Sequence, residues 1–190
     1  MNKLLLRSLV LIVMITVFTS LAFAGSADTG PASVYKVGVS KVELDNGTSY
    51  ITVFNGTSGT LDIASVSSGA SVGDFLSGLE VPDGTYYKVK VTPSPTFTYS
   101  GNVGTNYTTA GEGEGGSPPG TIGQKGAWTI TLTGDNVPTA KEQDFTATPV
   151  TVLNGVVDHE VRVSFNVANA IKLEGGKLWP DQPTVTISLQ

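Results

Sequence analysis

The sequence predicts an all-β fold, an antiparallel immunoglobulin-like β-sandwich of roughly nine or ten strands. Three observations lead there. Apolar residues alternate with polar ones at a period of two in segment after segment. Turn signals rich in Gly, Pro, Asn and Asp recur at short, regular spacing. No amphipathic helix is evident, and Gly and Thr abound while Leu is scarce, a composition of strands and turns.

The first segment has a different character. Lys3 and Arg7 form a positive end, Ser8 to Phe23 is uncharged and mostly apolar, and Ala22-Phe23-Ala24 is a small-x-small cleavage pattern. Residues 1–24 therefore read as a secretory signal peptide, with Gly25 opening the mature chain. The apolar run is shorter than the roughly 18 to 20 residues a span needs, so no membrane span is expected after cleavage. Both Met residues (Met1 and Met14) lie in this leader, and the chain has no Cys. The mature protein is thus free of sulfur, which suits an oxidising compartment. Cleavage removes two cations and no acid from a formal charge of −5, leaving a more acidic chain. The predicted location is secreted, extracellular or periplasmic.

The elements follow in order. Gly25 to Ser33 is loosely specified. Tyr35, Val37 and Val39 alternate with polar neighbours, then Val42 and Leu44 take over the apolar parity. A one-residue change of phase is what a β-bulge produces. Asp45-Asn46-Gly47 is a hairpin turn, and Tyr50 to Phe54 is its return strand. Asn55-Gly56 turns into a short strand where Leu61 and Ile63 flank Asp62. Ser65 to Ser71 is small and polar. Phe75, Leu76 and Leu79 fit either a short helical turn or a strand. Pro82-Asp83-Gly84 is a turn. Behind it Tyr87, Val89 and Val91 are expected on one face, with Tyr86, Lys88 and Lys90 outward.

Pro93 and Pro95 break that strand, and Phe97 and Tyr99 resume it. Ser100 to Gly126 contains Gly111-Glu112-Gly113-Glu114-Gly115-Gly116 and Pro118-Pro119-Gly120. With so few apolar groups, residues 100–126 are expected to form a long Gly-rich surface loop. Long loops in compact domains are often binding or assembly loops. Trp128, Ile130 and Leu132 alternate as a core-facing strand, and Gly134-Asp135-Asn136 turns. Phe145 to Leu153 is a β-rich run ended by a second hairpin turn, Asn154-Gly155. Val161, Val163, Phe165 and Val167 form the cleanest alternation. Glu174-Gly175-Gly176-Lys177 turns, Pro180 and Pro183 bracket a corner, and Val185, Ile187 and Leu189 form a terminal strand. Residues 25–190 read as one domain.

Leu61-Asp62-Ile63, Val81-Pro82-Asp83-Gly84-Thr85-Tyr86-Tyr87-Lys88-Val89-Lys90-Val91, Val161 to Asn166 and Trp179-Pro180-Asp181-Gln182-Pro183-Thr184-Val185 carry a resemblance. Together they resemble an uncharacterised bacterial extracytoplasmic β-sandwich family with a vP-x-G-x-Y hairpin and a closing P-x-v strand, over most of residues 34–190. The resemblance implies no catalytic residues. Many members look like lipoproteins, and this chain lacks the Cys that would carry the lipid. Gly59-Thr60-Leu61-Asp62-Ile63 is similar to a strand of biofilm-fibre subunits related to camelysin, which implies a secreted, self-assembling β-sandwich.

Few residues of the chain point to catalytic or metal chemistry. One His excludes sites that need several imidazoles, and acidity argues against nucleic-acid partners. His159 lies between Asp158 and Glu160, but strand neighbours face opposite ways, so no catalytic role is expected. Glu112 and Glu114 sit in the predicted loop, a poor base for acid–base geometry. No cofactor is expected; calcium is the metal the oxygen ligands would suit, although no Asp-x-Asp-x-Asp-Gly loop exists. Tyr86, Tyr99 and Tyr107, with Trp128 and Trp179, are candidates for a sugar-stacking platform. Asn46, Asn55 and Asn106 begin glycosylation-type triplets.

The function expected is a non-catalytic structural or adhesive module of the cell surface or extracellular matrix. Its partners would be further copies of itself, up to a filament, or a surface glycan. The terminal run Thr184, Val185, Thr186, Ile187, Ser188 and Leu189 has no charge to guard an open edge and is the candidate assembly strand. A carbohydrate-binding module is the first alternative; a secreted hydrolase is a distant one.

Overall fold

The structure, a computed structural model, describes residues 28–65, 80–158 and 161–189. The leader, Gly25 to Ala27, Val66 to Leu79 and His159 lie outside the described residues, and so do the expectations attached to them. What is described is all-β, with two short 3-10 turns at Ile122–Gln124 and Gly134–Asn136. The strands in chain order begin with β1 (Asp28–Gly30), β2 (Ala32–Val37), β3 (Val39–Asp45), β4 (Tyr50–Asn55), β5 (Leu61–Asp62), β6 (Gly84–Tyr86) and β7 (Lys88–Pro93). Next come β8 (Thr96–Val103), β9 (Asn106–Thr108), β10 (Gly111–Glu112), β11 (Pro119–Gly120), β12 (Trp128–Thr131), β13 (Lys141–Asp144) and β14 (Val150–Leu153). The last are β15 (Val156–Val157), β16 (Val161–Asn166), β17 (Ile171–Glu174), β18 (Lys177–Pro180) and β19 (Thr184–Leu189).

The segments outnumber the nine or ten strands expected because corners and bulges cut long strands into pieces. Three long, bent ribbons carry the fold. The first is β1–β2–β3, the second β6–β7–β8–β9, and the third β12–β13–β14. The second is central: β8 lies between β12 and β2, and β7 lies between β13 and β3. The ladder continues through each corner. Ser94 N–H donates to the Gly38 carbonyl at 2.9 Å, and Leu132 N–H to that of Pro95 at 2.9 Å. At the next bend Tyr87 N–H donates to Asp45 (2.9 Å), and Phe145 N–H to Tyr87 (2.6 Å).

The change of phase expected near Ser40 is present as a register shift between Val39 and Lys41. It keeps Val37, Val39, Val42 and Leu44 all buried. The Asn154-Gly155 and Gly175-Gly176 turns have positive φ at both central residues, 54° and 73° in one and 57° and 71° in the other. That is the two-residue hairpin conformation matched to strand twist.

Residues 161–189 make a second long hairpin, β16–β17 out and β18–β19 back, with Gly175-Gly176 at its tip. Its tip half is fastened to the ribbons. β1 pairs with β17 from Asp28↔Leu173 to Gly30↔Ile171. Tyr35 Oη donates to the Asp181 carbonyl (2.9 Å), and Tyr99 Oη to that of Leu178 (2.8 Å). Tyr35, Phe97, Tyr99, Ile130, Ile171 and Leu178 are each at most 1% exposed and form the centre of the core. Fully burying a large apolar side chain contributes about 1.5–3 kcal/mol. The arm Gly25 to Ser33, loosely specified by its sequence, is therefore committed within the chain from Asp28 onward.

Residues 100–126 are not the surface loop expected from their composition. Ser100 to Val103 belong to β8, and β9, β10 and β11 follow. Hydroxyls replace the missing apolar groups. Buried Thr108 accepts from Gly101 N–H (3.0 Å) and donates to the Gly126 carbonyl (2.7 Å), and buried Ser117 accepts from Thr109 N–H (2.9 Å). The Gly-Glu run is a strap across both tryptophans. A Cβ on Gly111 would lie 2.6 Å from the Trp128 ring, and one on Gly116 2.7 Å from Trp179 and from the Leu178 carbonyl. Glu112 and Glu114 alternate outward to solvent.

Candidate interaction edge

The sugar platform read from the sequence does not form. Tyr86 was expected on an outward face, yet it is 2% exposed and its hydroxyl donates to the Pro82 carbonyl (2.8 Å). The reason is local. Its strand ends at Tyr86, where the ladder partner is Val150 of β14; β7 then begins at Lys88 against β3 and β13. The change of partner at Tyr87 shifts the inward parity by one residue. Tyr99 is fully enclosed; besides donating to Leu178 it accepts from Ser117 N–H (3.2 Å). Burial raises the pKa of both phenols. Of the three tyrosines only Tyr107 is half exposed, on β9 between Asn102 and Gly120. Trp128 and Trp179 are partly buried against the core, and their indole N–H groups donate to the carbonyls of Gly115 and Glu174. A groove of about 390 Å³ opens between Asp28, the Gly104-Thr105 turn and Leu173, and none of these rings lines it.

The sheet of order β13–β7–β3–β4 carries a polar network that the sequence does not reveal. Glu43 bridges Lys41 (2.7 Å) and Lys90 (3.4 Å). Lys90 Nζ stands 3.9 Å over the Tyr50 ring, Tyr50 Oη donates to Glu142, and Lys88 pairs with Glu142 at 3.0 Å. Burial alone would raise the Glu43 pKa; the hydrogen bonds and charges of Lys41 and Lys90 outweigh it and hold it below the usual value. Tyr50 and Lys88 lower that of Glu142 in the same way. Every charge here has a partner, so the network reads as a solvated sheet face. Among the described residues no three His, Asp or Glu side chains come together as a metal site.

The edges differ sharply in how they are guarded. Exposed edges recruit other strands unless they are short, charged, bulged or covered. Edge strand β4 is uncharged, but Val42 faces Phe54 while Glu43 faces Thr52, which leaves Val53 as a bulge. On the opposite edge, β13 carries Lys141, Glu142 and Asp144. β5, β10 and β15 have two residues each. β18 is covered at Leu178 by reciprocal bonds with Ser117 (2.7 and 2.9 Å). Among the described residues β19 has none of these devices. It runs six residues, Thr184 to Leu189, without charge or proline, and pairs with β16 from Asn166↔Thr184 to Val161↔Leu189 without a shift. Among the described residues its other edge has no partner strand. Among the described residues the candidate assembly strand thus pairs within its own chain on one side. On the other side of the ribbon, β16 carries Arg162.

No protein-family model, no curated protein and no solved structure matches the chain. Among the described residues no helix is long and apolar enough to cross a membrane.

Proposed function

We propose that this chain is an exported, non-catalytic structural or adhesive module of the cell surface or extracellular matrix, working through strand addition at Thr184–Leu189. The observation that carries the reading is the unguarded edge of β19, set against edges that are bulged, charged, short or covered. Backbone hydrogen bonds along such an edge supply affinity without a ligand pocket. The leader at residues 1–24 supports export, and the resemblance of Val81–Val91 to extracytoplasmic bacterial domains supports the same compartment. The immunoglobulin-like reading of the sandwich is part of this proposal.

The test is light scattering on residues 25–190 over a wide concentration range, with the variant Thr184→Lys/Thr186→Lys beside it; both positions lie opposite uncharged residues of β16. Two charges on the edge act as gatekeepers. The parent associates as concentration rises, and the variant needs at least tenfold more protein while its thermal unfolding stays close to the parent's. A parent that is monomeric throughout, or a variant that associates equally well, rejects the reading.

A further inference from the structure

We propose that the strand received at this edge is β19 of a second copy, antiparallel about a twofold axis, so that association closes at a dimer. The inference rests on the reading of Thr184–Leu189 as the working edge and names its partner. Three observations support it.

The first is self-complementarity. Thr184 to Leu189 holds no charge, so an antiparallel copy of itself sets no like charges opposite one another. The second is the lack of an equally open acceptor among the described edges. β4 is interrupted at Val53, β13 is charged, β18 is covered, and β16 carries Arg162.

The third is geometric. An endless array would add β19 of one molecule to β16 of the next. Its repeat would be two strands, about 10 Å at the usual spacing between strands. The same molecule also contains the four-stranded sheet β13–β7–β3–β4, about 19 Å wide at that spacing. Copies displaced by only about 10 Å would overlap, since a folded chain of this length has a radius of gyration of about 15 Å. A twofold contact imposes no repeat: each edge meets its own copy once, both are consumed, and the interface is closed.

The symmetry also fixes the register class. A twofold normal to the sheet returns each residue to its own face, and residues opposite in an antiparallel pair share a face. Paired residue numbers must then sum to an even value, so one residue near the centre of the strand faces itself in the second copy.

That prediction suits a chain without cysteine. Four single variants, Val185→Cys, Thr186→Cys, Ile187→Cys and Ser188→Cys, are oxidised with oxidised glutathione and read on non-reducing gels. Light scattering gives the mass of the unmodified protein. The expected result is a mass that doubles and then stays constant, with a covalent dimer at one position far exceeding those at its neighbours. Hydrogen exchange on the unmodified protein, dilute against concentrated, should slow amides in residues 184–189. A mass that keeps growing, a dimer that no position links, or slowed amides at Tyr50–Asn55 instead overturns the twofold contact while leaving assembly itself standing. A monomer at all concentrations removes both.

Discussion

Tyr99 and Tyr86 show why an aromatic in a β-protein has to be judged by its hydroxyl as well as its ring. Both rings fill the core, and both hydroxyls donate to backbone carbonyls, that of Leu178 across the layers and that of Pro82 across the turn. Their removal should have unequal effects. Tyr99→Phe deletes one donated and one accepted bond, but the Leu178 carbonyl and the Ser117 N–H still bond each other at 2.7 Å. The expected loss is about 1 kcal/mol, the net value of a hydrogen bond whose partners are not orphaned. Tyr86→Ala empties a buried site and should cost about 3–5 kcal/mol. Urea unfolding followed by tryptophan fluorescence measures both. A Tyr86→Ala protein as stable as its parent would mean that the ring is not in the core. For the same reason, lost ligand binding in Tyr86→Ala would report unfolding rather than a lost sugar contact.

At the level of strands and sheets, the polar face of β13–β7–β3–β4 makes stability depend on pH with a definite sign. Glu43 titrates below the ordinary 4.5 in the folded chain. A carboxylate depressed by folding stabilises fully above its unfolded pKa, and that contribution disappears as the pH falls through the folded value. The parent should therefore lose stability as the pH falls into and below the ordinary carboxylate range. Glu43→Gln should be less stable than the parent at neutral pH and lose less over that acid range, because the Lys41 and Lys90 contacts no longer titrate. The urea midpoint against pH for the two proteins decides it; parallel curves would show that Glu43 contributes nothing. None of this network was legible in the sequence, since Glu43, Lys90 and Glu142 meet only after three strands pair. The bulge at Ser40 and the Asn-Gly and Gly-Gly hairpins were legible, because phase and φ preference are local properties. Tyr86 was misread because nothing in Tyr86-Tyr87-Lys88 marks a change of ladder partner. Ser100–Gly126 was misread because composition reports apolar burial and is blind to hydroxyls that close long-range hydrogen bonds. Of the candidate edge, the uncharged run Thr184–Leu189 was visible in advance. Its partner β16, and the guards on the other edges, needed the register.

Across the whole molecule, the ladder joins ends that are far apart in sequence. Gly30 pairs with Ile171 and Asp28 with Leu173, so the first described strand closes only after the last hairpin exists. Ala32 N–H likewise donates to the Val167 carbonyl (3.0 Å). Such pairings bear the entropy of a long loop before they contribute any contact, which places folding in the millisecond-to-second range of all-β domains. An exported chain, as proposed, would meet this order of events naturally, since its N-terminal strand crosses the membrane first and waits for residues 161–189. The β1–β17 contact should then form after the folding transition state. Deleting residues 25–30 from the mature chain removes three ladder pairs that are native but late. Interactions absent from the transition state affect unfolding rather than folding. The expected chevron keeps its folding limb within about twofold of the parent, while its unfolding limb rises about tenfold, an effect near 1.4 kcal/mol. Stopped-flow fluorescence of Trp128 and Trp179 reads both limbs. A deletion that slowed folding and left unfolding unchanged would place the meeting of the two ends in the nucleus and reverse that order of assembly.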